Sequence, residues 1–155
     1  MWAAVSTKSW TSLVEYGSDK LTGIVYRAML NNELLPTIVQ DGLEGMALYV
    51  HDRDKAHTAN ATGKKIRKLR ITEKLLGPKC CLLNPIEHIW GIFTMDLYNF
   101  GQRHYRNLDE LRTAANEAWN RVREKHHDSV RKMIEQLPRD MQRMIDAGGA
   151  HIDKM

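Results

Sequence analysis

The stretch Leu82-Leu83-Asn84-Pro85-Ile86-Glu87-His88-Ile89-Trp90 lies near the middle of the 155-residue chain and predicts the start of a helix. Asparagine is a common N-cap residue, proline suits the first helical position, and a glutamate three residues after the cap completes a capping box. Apolar residues then recur at helical spacing: Ile86, Ile89, Trp90, Phe93 and Leu97. We therefore expect a helix that ends near Gly101 and carries the Glu87 carboxylate in its first turn.

A second carboxylate, Asp52, follows the apolar run Met46 to Val50. A run of this length that is apolar on both faces is typical of a central strand covered on both sides. Open α/β sheets place functional groups at the carboxyl ends of such strands, where His51 and Asp52 stand. Taken singly, each acid also has a plain structural explanation: Asp52 can cap the following turn, and Glu87 can serve the capping box.

The composition describes an ordinary domain, with 43% hydrophobic and 27% charged residues, so a packed core is expected. The net charge of +4 is compatible with nucleic acid but does not require it. No apolar run is long enough to span a membrane, and the N-terminus does not have the pattern of a signal peptide. The only two cysteines, Cys80 and Cys81, are adjacent, which argues against a disulfide framework and favours a reducing compartment.

The segments before Asp52 predict a hairpin and a helix. Residues 2–5 and 12–16 look like two short strands joined by a polar turn. Gly17-Ser18-Asp19 then offers a turn and a helix cap, and the helix should end near Asn31-Asn32, before Pro36. Its expected buried face is Leu21, Ile24, Val25, Met29 and Leu30.

The remaining segments predict one more strand and several helices. Residues 59–70 indicate a short surface helix with Ile66 and Leu69 as its apolar seam, and residues 71–76 a short strand. Asn107 should cap a helix whose apolar residues are Leu108, Leu111, Ala115, Ala118, Trp119 and Val122. Asp128 should begin another, with Val130, Met133, Ile134 and Leu137 buried. Pro138 should begin a last one, through Met141, Met144 and Ile145 to Gly148-Gly149. This order fits an α/β sheet followed by a helical C-terminal part.

The spacing and context of the two acids together resemble a known family. Thirty-four residues separate Asp52 from Glu87, and the flanking segments are Val50-His51-Asp52-Arg53-Asp54-Lys55-Ala56-His57-Thr58-Ala59 and Leu83-Asn84-Pro85-Ile86-Glu87-His88-Ile89-Trp90. These resemble the QQDNAPxHTA and SPDLNPIENLW motifs of the mariner superfamily of cut-and-paste DNA transposases. In the branch that includes the founding nematode elements, the second and third catalytic acids have this same spacing.

The resemblance covers nearly the whole chain. Trp2-Ala3-Ala4-Val5-Ser6 resembles the family's VWGAIS strand, and residues 26–36 resemble its Y-x-x-x-L…P helix. Asn107-Leu108-Asp109-Glu110-Leu111 with Trp119, and later Leu137-Pro138-Arg139 with Met141 and Gly148-Gly149, resemble its closing helices. The resemblance implies a ribonuclease-H-like fold, a mixed sheet flanked by helices that lacks its first strand. Residues 1–101 would form the truncated DDE catalytic core, and residues 102–155 C-terminal helices packed on the same domain.

The resemblance also implies a metal site. Asp52 and Glu87 would each bind one of two Mg²⁺ or Mn²⁺ ions, with His57, Asn84 and Pro85 as motif residues beside them. The family's first acid, which bridges the two metals, belongs on a strand upstream of Trp2, so we expect this chain to be impaired. The family's N-terminal helix-turn-helix region is expected further upstream still. Further departures from the motifs are His51 and Arg53 in the first, and Cys80-Cys81-Leu82 in place of SPD in the second.

The expected partner is double-stranded DNA, at transposon ends or target, in the nucleus; a homo-oligomer is compatible with the resemblance and a membrane is not expected. A basic segment is the candidate for DNA-backbone contact: Lys64, Lys65, Arg67, Lys68 and Arg70. A solvated surface face is the simpler explanation of this segment. The histidines and cysteines lack zinc-site spacing. The alternative function is a non-catalytic DNA-binding or protein-interaction module derived from a transposase, in which an exposed sheet edge pairs with another chain.

Overall fold

The computed structural model of the chain describes residues 1–17, 20–77, 83–99 and 101–148. These residues form a mixed α/β structure that is mostly helical. Their regular sheet has two parallel strands, β1 (Leu48–His51) and β2 (Thr72–Leu75), with Leu48 opposite Thr72 and His51 opposite Leu75. The mixed α/β class is therefore confirmed. Two strands do not define a ribonuclease-H-like fold, which stays a prediction.

The helices of the described residues are α1 (Gly23–Met29), α2 (Leu35–Gln40), α3 (Lys55–Thr58), α4 (Asn60–Lys68), α5 (Pro85–Tyr98) and α6 (Leu108–Asp146), and a π-helical segment, Leu30–Leu34, joins α1 to α2. Both α4 and β2 lie within the ranges that the sequence predicts. Helix α5 begins at Pro85 as predicted, and it ends with Asn99 in the left-handed conformation, two residues before Gly101. Its predicted apolar stripe packs into the core.

The N-terminal segment pairs with itself as an antiparallel hairpin. Two isolated bridges, Trp2 to Val14 and Val5 to Trp10, hold it together, and Trp2 and Val14 exchange two backbone hydrogen bonds of 2.8 Å. The predicted pairing is confirmed, although it does not extend into regular strands. The tip is fixed to the end of α2, because the Asp41 carboxylate accepts hydrogen bonds from the Ser6 and Ser9 hydroxyls.

The predicted end of the first helix at Asn31-Asn32 is wrong, because the helix continues past Pro36 to Gln40. In the π-helical segment the Leu35 N–H donates to the Leu30 carbonyl, five residues back. The proline that follows therefore falls in the first turn of α2, where its missing N–H costs little. The π-helical segment thus carries the chain past a residue that normally ends a helix.

The start and the buried face of the first helix also differ from the prediction. Its N-cap is Thr22, whose hydroxyl accepts from the Val25 N–H, and the predicted cap residues Ser18 and Asp19 lie outside the described residues. Ile24 is 75% exposed, whereas Tyr26 is fully buried. The buried face therefore centres on Tyr26, Met29 and Leu30, and of the predicted positions Ile24 is wrong.

Helix α6 is one continuous helix of 39 residues where the sequence predicted three. Asn107 caps it as predicted, since its side chain accepts from the Glu110 N–H at 2.8 Å. Asp128 does not cap a new helix but lies 3.7 Å from Arg131 within the same one. Pro138 is exposed, so its ring faces solvent and the helix loses only one internal hydrogen bond there.

Two predicted apolar positions of α6, Leu108 and Ile145, are exposed. They lie near the two ends of the helix, beyond the part that packs on α5. Of the predicted helix stop at Gly148-Gly149, Gly148 lies within the described residues and Gly149 outside them. No helix in the described part of the chain, α6 included, is both long and apolar enough to cross a membrane.

Two hydrophobic clusters lie on opposite faces of the hairpin. The first joins the hairpin to α5 and α6, with Trp119 at its centre, and the Trp119 indole N–H donates to the Thr11 carbonyl at 3.0 Å. The second packs Trp2 against α1, α2 and α4, with Tyr26 and Ile66 fully buried. Neighbouring residues Trp2 and Ala3 enter different clusters, as the alternation of a strand between two helical layers requires.

The prediction that the Met46 to Val50 run is covered on both faces is wrong. Leu48 is 60% exposed, and Met46 is also exposed. Among the described residues β1 pairs only with β2, so its other edge is open. The apolar composition of the run matches a central strand, but here the strand lies at an edge.

Candidate active site

An open cleft of about 670 Å³ lies between the hairpin, β1 and the first turn of α5. Asp52, the residue that follows β1, lines this cleft, and so does Glu87, in the first turn of α5. The structure thus brings the two acids predicted from the sequence to one cleft. The predicted motif residues His57, Asn84 and Pro85 line it as well.

The Asp52 carboxylate is held through one of its oxygens. Oδ1 accepts a hydrogen bond from the Asp54 N–H at 3.0 Å and lies 2.5 Å from Nδ1 of His57. The turn-capping explanation of Asp52 therefore holds. Oδ2 makes no hydrogen bond with the described residues, and the side chain is 54% exposed, so the same carboxylate can also face a ligand in the cleft.

The capping box predicted for Glu87 does not form. Asn84 has the extended backbone of an N-cap, but its side chain makes no capping hydrogen bond. The Glu87 N–H donates instead to the Asn84 carbonyl at 3.1 Å, so the donor that a capping side chain would satisfy is already used. The Glu87 side chain is exposed and makes no hydrogen bond in the described residues. The capping-box explanation of Glu87 thus has no support among the described residues.

The cleft only partly fits the metal site that the resemblance implies. Carboxylate oxygens are suitable ligands for Mg²⁺ or Mn²⁺, and both acids leave oxygens without partners among the described residues. Within the described ranges, however, no group of three or more His, Cys, Asp or Glu side chains could hold a metal ion. The donor chemistry thus fits a hard cation, while the number of ligands falls short of a two-metal centre.

A buried chain of polar side chains lies beside the acids, and the sequence did not predict it. The Tyr26 hydroxyl lies 2.9 Å from the Tyr49 hydroxyl and 3.0 Å from Nδ1 of His51, and Nε2 of His51 lies 3.0 Å from the Glu73 carboxylate. An ionised carboxylate only accepts, so His51 donates to Glu73 and accepts from Tyr26, which accepts in turn from Tyr49. One arrangement of protons therefore satisfies the whole chain.

Burial dominates the acid–base properties of this chain of polar side chains. It raises the pKa of Tyr26 and raises that of Tyr49 to about 12. Burial also lowers the pKa of His51, and the nearby His57 lowers it further, although Glu73 acts in the opposite direction. All of these shifts favour the neutral forms. His51 consequently serves as a neutral hydrogen-bonding group under the strand end that carries Asp52.

The predicted basic segment forms an exposed surface. Lys64, Arg67, Lys68 and Arg70 are exposed, while the Lys65 ammonium donates to Asn31 Oδ1 at 2.7 Å. No ion pair to an acid involves these five residues in the part of the chain that the structure describes. None of them lines the cleft, which instead contains two lysines that the sequence did not single out, Lys20 and Lys55.

No family model matches the chain, and no curated protein matches it. The resemblance to mariner-type transposases therefore rests on the two motifs, their spacing and the segments that extend them.

Proposed function

We propose that this chain is derived from the catalytic domain of a mariner-superfamily DNA transposase and is impaired in DNA cleavage. The observation that carries the proposal is that Asp52 and Glu87, separated by 34 residues in the sequence, line the same cleft. In a working site of this class, two divalent ions activate the attacking oxygen and stabilise the leaving one. Here Asp52 and Glu87 would bind a cation through their free oxygens, and His57 holds Asp52 in place.

The expected impairment follows from the number of acids. The matched motifs supply the second and third acids of the triad, and the cleft has no three-ligand group among the described residues. Loss of a bridging carboxylate removes several kcal/mol of transition-state stabilisation, which corresponds to a rate loss of about 10³-fold or more. Binding of a single cation is less demanding and should survive.

Two measurements on the purified chain test this proposal. In calorimetric titrations, Mn²⁺ should bind weakly to the unmodified chain, and Asp52→Asn or Glu87→Gln should reduce that binding at least about tenfold. Asp109→Asn, which alters an exposed acid at the start of α6, is the matched control and should leave binding unchanged. Absence of Mn²⁺ binding by the unmodified chain would contradict the proposal.

Cleavage is tested with supercoiled plasmid in Mg²⁺ or Mn²⁺. We expect nicking no faster than that of the Asp52→Asn variant, because the described residues offer no third ligand beside the two acids. Metal-dependent nicking that Asp52→Asn abolishes would retain the family assignment and overturn the impairment.

A second candidate function, a protein-interaction module, is favoured by the two strand edges that line the cleft. In a parallel pair of strands, the backbone N–H and C=O groups of alternate residues point toward the partner strand. The backbone groups of Leu48 and Val50 therefore point away from β2. In the hairpin, Trp2 and Ala4 form backbone hydrogen bonds with the opposite arm, so the N–H and C=O groups of Ala3 point away from that arm. Unpaired edges of this kind accept an added strand.

Hydrogen exchange and light scattering test this second function. An added strand would slow amide exchange at Ala3, Leu48 and Val50, and pairing between copies would show as a dimer. A monomer whose three amides exchange at solvent-exposed rates, alone and with extended apolar peptides, would exclude the interaction module.

A further inference from the structure

His57 touches the functional Asp52 directly and lies in the short helix α3 that follows it. Its Nδ1 lies 2.5 Å from Asp52 Oδ1, and its ring packs against the Tyr26 ring with the centroids 4.1 Å apart. The His57 side chain is 13% exposed, whereas Asp52 is 54% exposed. A largely enclosed imidazole thus supports a carboxylate that reaches into the cleft.

The environment of the second ring nitrogen fixes the position of the His57 proton. Nε2 is buried and has no hydrogen-bond partner among the described residues. A proton on Nε2 would be a buried donor without an acceptor, and Nδ1 would then face the carboxylate with a lone pair. The neutral ring therefore carries its proton on Nδ1 and donates to Asp52.

This arrangement argues against His57 as a proton-transfer group. A general base needs a nitrogen within hydrogen-bond reach of the substrate, and Nε2 is enclosed by protein. The Asp54 N–H donates to the same carboxylate oxygen that His57 contacts. Both donors thus hold Oδ1 and leave Oδ2 free.

We propose that His57 is a positioning residue, which holds Asp52 in one rotamer with Oδ2 available to a divalent cation. The cation part of this inference rests on the proposed function, whereas the hydrogen bond and the rotamer do not. Hydrogen-bonding partners of metal-binding side chains typically contribute about 10- to 100-fold to metal affinity.

Nuclear magnetic resonance tests the positioning role without any metal. The ¹⁵N shifts of His57 in the unmodified chain should show a protonated Nδ1 and an unprotonated Nε2, and Asp52→Ala should shift the Nδ1 resonance, because its proton loses the carboxylate acceptor. The couplings of the Asp52 β-protons should indicate a single rotamer. A His57 ring protonated on Nε2, or an Asp52 side chain that averages between rotamers, would overturn the proposal.

Two substitutions separate positioning from packing. Asparagine places an amide N–H near the position of Nδ1, so His57→Asn should keep the single Asp52 rotamer, whereas His57→Leu fills the space and should lose it. Mn²⁺ affinity should fall about tenfold in His57→Leu and stay within about threefold in His57→Asn. If both variants keep one Asp52 rotamer, the positioning role is wrong. If the unmodified chain holds one rotamer but binds no Mn²⁺, the proposed function fails while the positioning of Asp52 stands.

Discussion

At the scale of single residues, the polar chain under β1 depends on one hydroxyl. Tyr26, on α1, links Tyr49 to His51, which both lie on β1. The two acids could be predicted because a motif and its spacing are local properties of a sequence. The polar chain could not, because its members meet only when α1 packs across the sheet.

Tyr26→Phe should lower the free energy of unfolding by about 1 to 3 kcal/mol. The substitution leaves the ring in place but deprives buried His51 and Tyr49 of a hydrogen-bond partner. Urea denaturation monitored by circular dichroism gives the difference. Tyr98→Phe is the matched control, because the Tyr98 hydroxyl makes no hydrogen bond in the described residues, and it should change stability by less than about 0.5 kcal/mol. Equal stabilities of the two variants would contradict the assigned chain of hydrogen bonds.

Stability should also decrease as the pH falls below about 6.5, the ordinary pKa of histidine. The pKa of His51 is lowered in the folded protein, mainly by burial, so below pH 6.5 the unfolded chain binds more protons and unfolding is favoured. The contribution of one group is at most about 1.4 kcal/mol per pH unit. Urea denaturation at pH 7.5 and 5.5 should show a smaller pH effect in His51→Gln than in the unmodified chain. An equal effect in both would remove His51 as the cause.

At the scale of elements, two helix starts were predicted correctly, whereas two prolines did not interrupt helices as expected. The sequence correctly placed the starts of α5 and α6, because cap residues and proline at the first position act locally. It predicted an end near Asn31-Asn32, before Pro36, and a new start at Pro138. The π-helical segment instead carries the first helix past Pro36, and the exposed Pro138 lies inside a continuous α6. Local signals thus predict where a helix can end, and packing decides whether it does.

Pro138→Ala should raise the free energy of unfolding by roughly 1 to 3 kcal/mol, because it restores a hydrogen bond inside a continuous α6. Thermal and urea denaturation measure the gain. Lys132→Ala, an exposed substitution one and a half turns earlier, should change stability by less than about 0.5 kcal/mol. No gain from Pro138→Ala would favour a chain that breaks at this residue, as the sequence had predicted.

Helix α4 is the element that we expect to contact DNA. A combined Lys64→Ala, Arg67→Ala and Lys68→Ala variant should bind duplex DNA more weakly at low salt, and the slope of log affinity against log salt should fall by up to about 3. The same change of net charge in Arg123→Ala, Lys125→Ala and Lys132→Ala, on exposed positions of α6, controls for non-specific attraction. If both triple variants bind equally, α4 is not the contact surface.

At the scale of the whole molecule, the sequence predicted the layers but not the extent of the sheet. The hairpin, the first helix, β1, α4, β2, α5 and α6 follow one another in the predicted order, and alternate hairpin residues enter two clusters. The apolar Met46 to Val50 run indicated a central strand, yet Leu48 is exposed at an open edge. The composition of a strand indicates that it could be buried, whereas its actual burial depends on which neighbouring strands are present.

The length of α6 has a consequence for how this molecule is degraded. At 1.5 Å per residue the helix extends about 58 Å, and beyond Val130 none of its described residues is fully buried. Its last turns can open without disturbing the cores, so within α6 limited trypsin digestion should cut first after Arg139 and Arg143. Arg121, ion-paired with Asp96 at 2.7 Å, should resist until the whole protein unfolds. The helix is therefore structurally continuous, but its C-terminal turns should be cleaved long before the part that packs in the core.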